Sequence, residues 1–367
     1  MNDWLAARNL LAVRLDNMGD VLMLGPALRA VKETSPDARV TLLASPGGAQ
    51  VAPLLPWVDE TIVWRPIWQD IGNRMPFDPE REFEFIRDLA ARHFDAALIF
   101  SSFSQTPHTP GYACYLAGIP LRAGESKEFG GGTLTTELRG APEEMHQTER
   151  SLRLVEHLGF HTDDRRLHAH ITEDDRASAL AKLSARGVDV SAPYLAVPPG
   201  ASAQARRYPA DRFGAVVNEL TRAGWQVVVP GVAREKTLLE VVCAAAPAAI
   251  PLLDALTLPE YAALIADAAL IVCNDTLAMH LADATLTPAV VLYAGTEFEE
   301  QWRPRFTEHV LMRIPTPCSP CYRLECPIGL PCLDIEPREV ARAAEHLLAR
   351  RGVAPVGDRA TVQGGAR

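Results

Sequence analysis

Short apolar runs alternate with helix-period segments along this chain, and the alternation occurs twice. In the first half the strand-like runs are Leu10–Leu15, Val40–Ala44, Thr61–Trp64 and Ala96–Phe100. In the second half they are Tyr194–Val197, Gln226–Val229, Ala269–Cys273 and Ala289–Tyr293. Strands that alternate with helices are typical of parallel sheets packed against those helices. The sequence therefore predicts an α/β protein with two doubly wound domains that face a central cleft.

Length and a local change in composition place the boundary between the two domains. A chain of 367 residues exceeds what one ordinary hydrophobic core organises. Residues 161–176 are charged and contain several histidines, and they separate the two alternating series. We therefore expect domains at residues 1–170 and 171–350. Residues 351–367 have mostly small side chains and no apolar period, so we expect a disordered tail there.

Two further segments lack the alternation. Arg65–Pro79 is aromatic and rich in proline, and Gly124–Met145 contains three consecutive glycines. Long irregular segments inside an ordered domain are often lids or binding loops. Variable surface loops with no role in binding are the alternative interpretation.

The charge balance and the apolar stretches argue against two classes of protein. The chain has 36 Lys and Arg residues against 46 Asp and Glu residues, a formal net charge of −10, which disfavours nucleic acid as a partner. Its start, MNDWLAARNLL, lacks the pattern of a secretory signal, and its longest apolar stretches are interrupted and too short to span a membrane. We expect a cytoplasmic protein, and peripheral contact with the inner membrane surface stays open.

Four of the seven cysteines lie close together near the end of the second half. Their spacing is Cys318-x2-Cys321-x4-Cys326-x5-Cys332. In a cytosolic protein, clustered cysteines suggest metal ligation or redox chemistry more than disulfides. This spacing differs from the paired CxxC of a zinc ribbon, and no histidine completes it nearby. A structural metal site is one interpretation, and thiols that are unligated or reversibly oxidised are the alternative.

The first predicted strand leads into a loop that contains a carboxylate. After Leu10–Leu15 the sequence reads DNMGD, which ends at Asp20, and a helix-period stripe follows. Pro26 indicates that the regular helix begins a few residues after Asp20 or kinks there, because proline fits only the first turn. Ligands of open α/β sheets bind at the carboxyl ends of strands, where this loop lies. Asp20 is therefore either a catalytic residue or only a helix cap.

Two loops of the second half combine glycine with charge at a helix start. In the first, Gly200 and Ser202 precede Arg206, so that free backbone N–H groups and a cation could receive an anion. An ordinary strand-to-helix loop with solvated arginines is the alternative. In the second, Pro230–Glu235, the carboxylate of Glu235 could bind ribose hydroxyls or merely complement the helix dipole.

A third loop follows a buried strand directly. Asp275 and Thr276 stand at the predicted start of a helix, where they could cap it while its N–H groups receive a diphosphate. His280 follows Thr276 by four residues and shares its helix face. We interpret His280 as a core histidine rather than a catalytic one.

Taken in order, these segments resemble glycosyltransferase family 9, the heptosyltransferase-like enzymes. The segments that carry the resemblance are VRLDNMGDVLMLGPALRAVKE, HQTERSLRLVEHLGF, PPGASAQARRYPADRF, PGVAREK, CNDTLAMHLADATLTPAVVLYAG and CSPCYRLECPIGLPCL, and they cover most of residues 9–335. The resemblance implies a GT-B fold of two Rossmann-like domains, the first binding the acceptor and the second the nucleotide-sugar. It also implies inverting transfer of a heptose or related sugar from an ADP-linked donor to a hydroxyl of a glycan or glycolipid such as lipopolysaccharide core. No cofactor or metal ion is required in that reaction.

The resemblance also implies roles for individual residues. Asp20 matches the acid of the family's Gly-Asp pair and would be the general base that deprotonates the acceptor hydroxyl. Arg206 stands where the family often has lysine and would neutralise the leaving diphosphate. Glu235 would hold the ribose, and Asp275 and Thr276 would contact the donor sugar and phosphates. The implied donor-binding set is Gly200, Ser202, Arg206, Glu235, Asp275 and Thr276.

Some positions depart from the family pattern. Leu277 stands where the family commonly has glycine. Its side chain could crowd phosphate contact or change donor preference. Pro198 replaces a common histidine, and Glu297 replaces a common aspartate. These departures leave the fold expectation unchanged and leave the exact donor open. The four-cysteine segment resembles a feature of many members, which favours a structural role for it.

Two other functions are compatible with the same motifs. A nucleotide-sugar epimerase or hydrolase would turn over the donor without an acceptor, and a non-catalytic nucleotide-sugar binding protein would bind the donor without turnover. A dehydrogenase is disfavoured because no G-x-G-x-x-G follows Leu10–Leu15.

Overall fold

Each half of the chain forms its own six-stranded parallel sheet with intervening helices. In this computed structural model the described residues are 3–70, 72–102 and 105–355, so residues 356–367 of the expected disordered tail lie outside them. The chain divides between His170 and Ile171 into two compact units, called here the first and the second unit. The predicted α/β class is confirmed in both.

The first unit contains the following elements. Its strands are β1 (Asn9–Arg14), β2 (Arg39–Ala44), β3 (Glu60–Val63), β4 (Ala96–Ile99), β5 (Leu121–Glu125) and β6 (Thr136–Leu138). Its helices are α1 (Asp3–Ala6), α2 (Met18–Leu22), α3 (Gly25–Thr34), α4 (Pro79–Ala91), α5 (His108–Leu116) and α6 (Gln147–His157).

The second unit follows the same plan. Its strands are β7 (Tyr194–Ala196), β8 (Gln226–Gly231), β9 (Ile250–Leu253), β10 (Leu270–Asn274), β11 (Ala289–Leu292) and β12 (His309–Met312). Its helices are α7 (Glu173–Ser184), α8 (Ala210–Arg222), α9 (Lys236–Ala245), α10 (Leu258–Asp267), α11 (Leu277–Thr285), α12 (Glu299–Trp302) and α13 (Pro337–Arg350).

The strand orders of the two sheets are equivalent. The first sheet has the order β3-β2-β1-β4-β5-β6, and the second has the order β12-β11-β10-β7-β8-β9. Both are the 3-2-1-4-5-6 order of the dinucleotide-binding fold, in which the chain reverses its direction of growth between the first and fourth strands. Ligands of such sheets bind at the carboxyl ends of those two strands. The order therefore directs attention to the loops after β1 and β4 and after β7 and β10.

The central strands are buried along nearly their whole length. All five residues of β10 and the last five of β1 are buried, as expected for a parallel sheet covered on both faces. Each unit has its own apolar cluster: Leu11, Val13 and Ile99 belong to that of the first, and Val272 and Val290 to that of the second. None of the helices in the described part of the chain combines the length and the apolar surface that a membrane crossing requires.

The predicted irregularity after Asp20 is a break between two helices. Asp20 lies within the short α2, and α3 starts at Gly25 with Pro26 in its first turn, where proline is tolerated. The irregular segment Gly124–Met145 also contains structure that its composition hides, because it includes the three-residue strand β6 and the end of β5.

Candidate active site

Two buried carboxylates share one arginine at the carboxyl end of β1. Nη2 of Arg14 donates a hydrogen bond of 2.9 Å to Oδ1 of Asp20, and Nε of Arg14 lies 2.8 Å from Oδ2 of Asp16 in an ion-pair contact. The exposed fractions of the three side chains are 2%, 10% and 8% for Arg14, Asp20 and Asp16. Buried charges are stable only when they are paired, so this cluster depends on all three groups.

The backbone of α2 and the loop after β4 hold the two carboxylates in different ways. Oδ2 of Asp20 accepts a hydrogen bond of 3.1 Å from the backbone N–H of Asn17, which completes a capping box. Asp16 accepts from the side-chain amide of Gln105, and Ser102 donates to it at 3.5 Å. Burial and the nearby charge of Asp20 raise the pKa of Asp16, although Arg14 opposes the shift. Asp20 is thus both a capping residue and a carboxylate at the sheet edge.

A concave region adjoins this cluster within the first unit. It is a small concavity of about 20 Å³, room for little more than one water molecule, between the ends of β1 and β4 and the segment around Trp68. Gln105, which donates to Asp16, lines it together with Gln69, Phe100 and Trp68. The lining combines apolar and aromatic surface with amide groups.

In the second unit, a buried amide connects the loops after β7 and β10. The side chain of Asn274 is fully buried; its Nδ2 donates to the carbonyl oxygens of Pro199 and Gly200 at 3.0 and 3.1 Å. Its Oδ1 accepts from the backbone N–H of Tyr208 at 3.0 Å. One side chain therefore fixes the position of the Gly200 loop relative to the end of β10.

The glycine of that loop lies against the carboxylate that follows β8. A Cβ atom on Gly200 would lie 2.1 Å from Oε1 of Glu235, far inside contact distance. Oε2 of Glu235 accepts from the backbone N–H of Val232 at 3.1 Å. The structure thus brings together Gly200 and Glu235, whereas Ser202 is exposed beside them.

If Glu235 holds the ribose of an ADP-linked donor, as the family resemblance implies, Gly200→Ala is expected to weaken ADP binding by roughly tenfold or more, because the new methyl group displaces the Glu235 carboxylate and removes a charge-assisted hydrogen bond. Titration calorimetry with ADP measures the effect. Gly132→Ala is the matched control, since its Cβ would meet no atom within 4 Å. An unchanged ADP affinity in Gly200→Ala would contradict the ribose-binding role that the resemblance implies for Glu235.

Arg206, which follows β7, forms an ion pair with Glu297, which follows β11 in the same sheet. Its Nη2 lies 3.0 Å from Oε1 of Glu297, and the exposed fractions of the two side chains are 24% and 16%. Arg206 ends the short turn Gln204–Arg206 after β7, and Glu297 follows β11. Arg206 belongs to the predicted donor-binding set. The sequence singled out Glu297 only because the family commonly has aspartate at that position.

Asp275 is the third charged group of this region. The residue is 5% exposed, and within the described chain its Oδ1 atom is buried without a hydrogen-bond partner. Burial raises the pKa of this carboxyl to about 8; Arg206 lowers it and Glu297 raises it further. A buried acceptor without a partner is costly in a folded protein and often marks a ligand site.

Thr276 and Leu277, at the start of α11, are partly exposed to solvent. Thr276 is the N-cap residue, and its side chain makes no capping hydrogen bond with any described residue. His280 is buried, and burial lowers its pKa to about 4, so it is neutral near pH 7. These features agree with the interpretation of His280 as a core residue.

The four-cysteine segment supports both partners of the Arg206–Glu297 pair. The backbone N–H of Cys321 donates to Gly295 at 3.1 Å, just before Glu297. The backbone N–H of Cys326 donates to the side chain of Gln204 at 2.9 Å, just before Arg206. The segment therefore has a structural role beside the site.

The thiols themselves are not arranged as a ligand set. All four cysteines of the segment are free, with Cys318 exposed and Cys332 buried. Across residues 3–70, 72–102 and 105–355, no group of three or more His, Cys, Asp or Glu side chains is placed to hold a metal ion.

Several residues of these clusters were not identified from the sequence. Arg14 and Asp16 flank the end of a buried apolar strand, where a charged residue is itself a signal. Ser102 and Gln105 follow β4, and the same rule that singled out Asp20 would have selected them. The connecting role of Asn274 depends on contacts across 66 to 75 residues and has no local signal.

Comparisons with known proteins agree with this architecture. The family described as "Glycosyltransferase family 9 (heptosyltransferase)" matches residues 83–330. Lipopolysaccharide heptosyltransferase 3 of Escherichia coli (strain K12) is 26% identical over 312 residues, which cover 80% of this chain and 84% of that protein.

Solved structures show the same fold. The glycosyl transferase family 9 protein from Veillonella parvula DSM 2008 has a TM-score of 0.75 at 21% identity, covering 94% of this chain and 98% of that chain. The ADP-heptose LPS heptosyltransferase II of E. coli has a TM-score of 0.74 at 20% identity, covering 94% of this chain and all of that chain.

Proposed function

Because the chain belongs to glycosyltransferase family 9, we propose that it transfers a heptose or related sugar from an ADP-linked donor to a glycan hydroxyl, with inversion at the anomeric carbon. The observation that carries the mechanism is the buried Asp20 carboxylate, which Arg14 and the α2 backbone hold at the carboxyl end of β1. The family match begins at residue 83, so the role of Asp20 rests on this geometry and on the resemblance of its loop.

In the proposed reaction Asp20 is the general base. It accepts the proton of the acceptor hydroxyl while that oxygen forms a bond to the anomeric carbon of the donor. The bond from that carbon to the diphosphate oxygen breaks with its electron pair, and ADP leaves. A single displacement inverts the configuration and needs one base rather than a carboxylate pair. Held by Arg14 and the Asn17 N–H, the carboxylate keeps a fixed direction for proton transfer.

The proposed donor site lies in the second unit. Glu235 would bind the ribose hydroxyls, because its carboxylate is half-buried and the absence of a side chain on Gly200 leaves room beside it. Arg206 would neutralise the leaving diphosphate as a planar fork of donors. Asp275 and Thr276 would contact the donor sugar and phosphates. The ADP-heptose name of the E. coli enzyme with the same fold supports the choice of donor.

The proposed acceptor is a glycan or glycolipid, with lipopolysaccharide core as the first candidate. The name of the E. coli relative supports this class. The surface beside Gln105 and Trp68 would contact the acceptor, since it adjoins the carboxylates and offers an aromatic face with amide groups. The irregular segment Arg65–Pro79, to which Trp68 belongs, would then shape acceptor choice.

An assay of nucleotide release tests the proposal. The full chain is incubated with ADP-heptose, UDP-sugars and GDP-sugars, each with and without a deacylated lipopolysaccharide-core acceptor. We expect ADP release that depends on the acceptor, and NMR of the product with the opposite anomeric configuration to the donor. Equal release without acceptor would instead indicate a hydrolase or epimerase. Tight donor binding without turnover on any acceptor would indicate a binding protein.

A further inference from the structure

Two buried side-chain oxygens at the carboxyl edge of the second sheet have no hydrogen-bond partner among the described residues. One is Oδ1 of Asp275, which follows β10, and the other is Oγ1 of Thr296, which follows β11. The two residues are 5% and 2% exposed. Buried polar groups of folded proteins are nearly always hydrogen-bonded, so two unsatisfied oxygens in one region require an explanation. A bound ligand would supply the missing hydrogen bonds.

Strand pairing and an ion pair place the Thr296 loop at the proposed donor site. The last residues of β10 and β11 pair with each other, so the chain leaves the two strands at the same level. Neighbouring strands lie roughly 4.8 Å apart. Glu297, the residue after Thr296, lies 3.0 Å from Arg206. The loop that contains Thr296 therefore begins beside Asp275 and contacts Arg206.

The four-cysteine segment holds the backbone of this loop. The backbone N–H of Tyr322 donates to the carbonyl oxygen of Thr296 at 2.9 Å, and that of Cys321 donates to Gly295 at 3.1 Å. A Cβ atom on Gly295 would lie 3.1 Å from the side chain of Ser319, so the missing side chain lets the two segments pack closely. These contacts fix the backbone of Thr296 without engaging its hydroxyl group.

The hydrogen-bonding capacity of the two oxygens indicates the kind of ligand. A carboxyl group accepts hydrogen bonds in either protonation state, and a threonine hydroxyl both donates and accepts. The oxygens of an ionised diphosphate only accept, so they offer no hydrogen to an acceptor. A sugar hydroxyl both donates and accepts. Hydroxyls of one sugar can therefore satisfy Asp275 and Thr296 together.

We propose that the hydroxyl group of Thr296 binds a hydroxyl of the donor sugar, beside Asp275, and so takes part in selecting that sugar. The inference rests on the proposed function, because it takes the ligand of the second unit to be a nucleotide-sugar. Thr296 is outside the donor-binding set that the sequence predicts, and its contact concerns the transferred sugar rather than the nucleotide.

The unpaired hydroxyl gives Thr296→Val opposite effects on stability and on binding. Valine is nearly isosteric and breaks no hydrogen bond in the empty protein, so the thermal midpoint should stay within about 1 °C or rise. The affinity for ADP-heptose should fall by about tenfold, because one hydrogen bond to the sugar is lost. ADP lacks the transferred sugar, so its affinity should stay within about twofold. Scanning and titration calorimetry of the full chain without acceptor measure these quantities.

Thr307→Val is the matched control for this substitution. Thr307 is 6% exposed, and its hydroxyl donates to the carbonyl oxygen of Thr287 at 2.7 Å. The same change there breaks a hydrogen bond, so the thermal midpoint should fall by about 2–4 °C while ADP-heptose affinity is unchanged. Thr296→Ser keeps a hydroxyl and should bind ADP-heptose within about twofold of the unmodified protein.

The outcomes separate this inference from the proposed donor. An unchanged affinity of Thr296→Val for ADP-heptose, or an equal loss for ADP and ADP-heptose, overturns the contact with the sugar. A thermal midpoint that falls as in Thr307→Val also overturns it, because the hydroxyl would then have a partner within the protein. Preference of the unmodified protein for a UDP-sugar or GDP-sugar overturns the donor assignment alone, and the same variants are then compared on that nucleotide-sugar and its nucleotide. Failure of every nucleotide-sugar to bind overturns both.

Discussion

Asp20→Asn is expected to lower kcat for sugar transfer by about a thousandfold, the size of effect that a general base contributes. The asparagine side chain keeps the shape, but its single amide oxygen can accept only one of the two hydrogen bonds that Arg14 and the Asn17 N–H donate to Asp20, and it cannot take the proton of the acceptor hydroxyl. ADP affinity should stay within about twofold, because Asp20 lies in the first unit and the proposed donor residues lie in the second. Steady-state kinetics and ADP titrations measure the two quantities.

Asp16→Asn is the matched control for this substitution. Asp16 is as buried as Asp20 and contacts the same arginine, so both variants remove one negative charge from one cluster. We expect Asp16→Asn to keep kcat within about tenfold, since its carboxylate is engaged by Gln105 and Ser102 rather than by the α2 backbone. Equal losses in the two variants would contradict a distinct role for Asp20 as the base.

Arg206→Met is expected to lower kcat/KM for the donor by about a hundredfold to a thousandfold. The charge that Arg206 supplies is needed most when the diphosphate leaves, so the loss should appear in kcat as well as in KM. Arg206→Lys should recover most of the activity as a point charge, without the planar fork of arginine. Single-turnover measurements with a saturating donor separate the chemical step from binding.

A second substitution distinguishes a catalytic loss in Arg206→Met from a loss of stability. Without Arg206 the carboxylate of Glu297 loses one ion-pair contact, which would destabilise the second unit by less than the about 3–5 kcal/mol of a fully buried pair, because both side chains are partly exposed. The double substitution Arg206→Met with Glu297→Gln also removes the charge of that carboxylate. If it regains both the thermal midpoint and the activity, then Arg206 is a structural residue and the proposed catalytic role is wrong.

The alternation of apolar runs was enough to predict the fold class, but some elements carry no readable pattern. Strand β5 contains Arg122, a buried arginine whose Nε donates to the carbonyl oxygen of Thr133 at 2.8 Å, so its sequence does not look apolar. Strand β9 contains Pro251, which is tolerated because β9 lies at the edge of its sheet. Tertiary contacts, rather than local preference, make these segments strands.

The sequence predicted which loops form the candidate site but not which of their side chains contact each other. The rule that ligands bind at the ends of central strands selected Asp20, Gly200 and Asp275, and the strand order supports that selection. The rule does not say which side chains meet. Arg206 and Glu297 are 91 residues apart in the sequence, and the residues around each give no local signal that the two side chains pair.

The position of the Asp20 side chain does not by itself establish a catalytic role. Asp20 caps α2 and also faces the sheet edge, so its geometry accommodates both interpretations that the sequence offered. Only measurement of the reaction can distinguish the base from the cap, which is why Asp16 and Asp20 are compared directly.

The amide of Asn274 gives the donor region a framework that does not titrate. Its hydrogen bonds to Pro199, Gly200 and Tyr208 join neutral groups, and an amide neither gains nor loses a proton across the pH range in which proteins stay folded. Acid and alkali should therefore change the charges that surround the ligand while the loops keep their places. The pH response of this protein would then be a change in electrostatic potential within an unchanged shape.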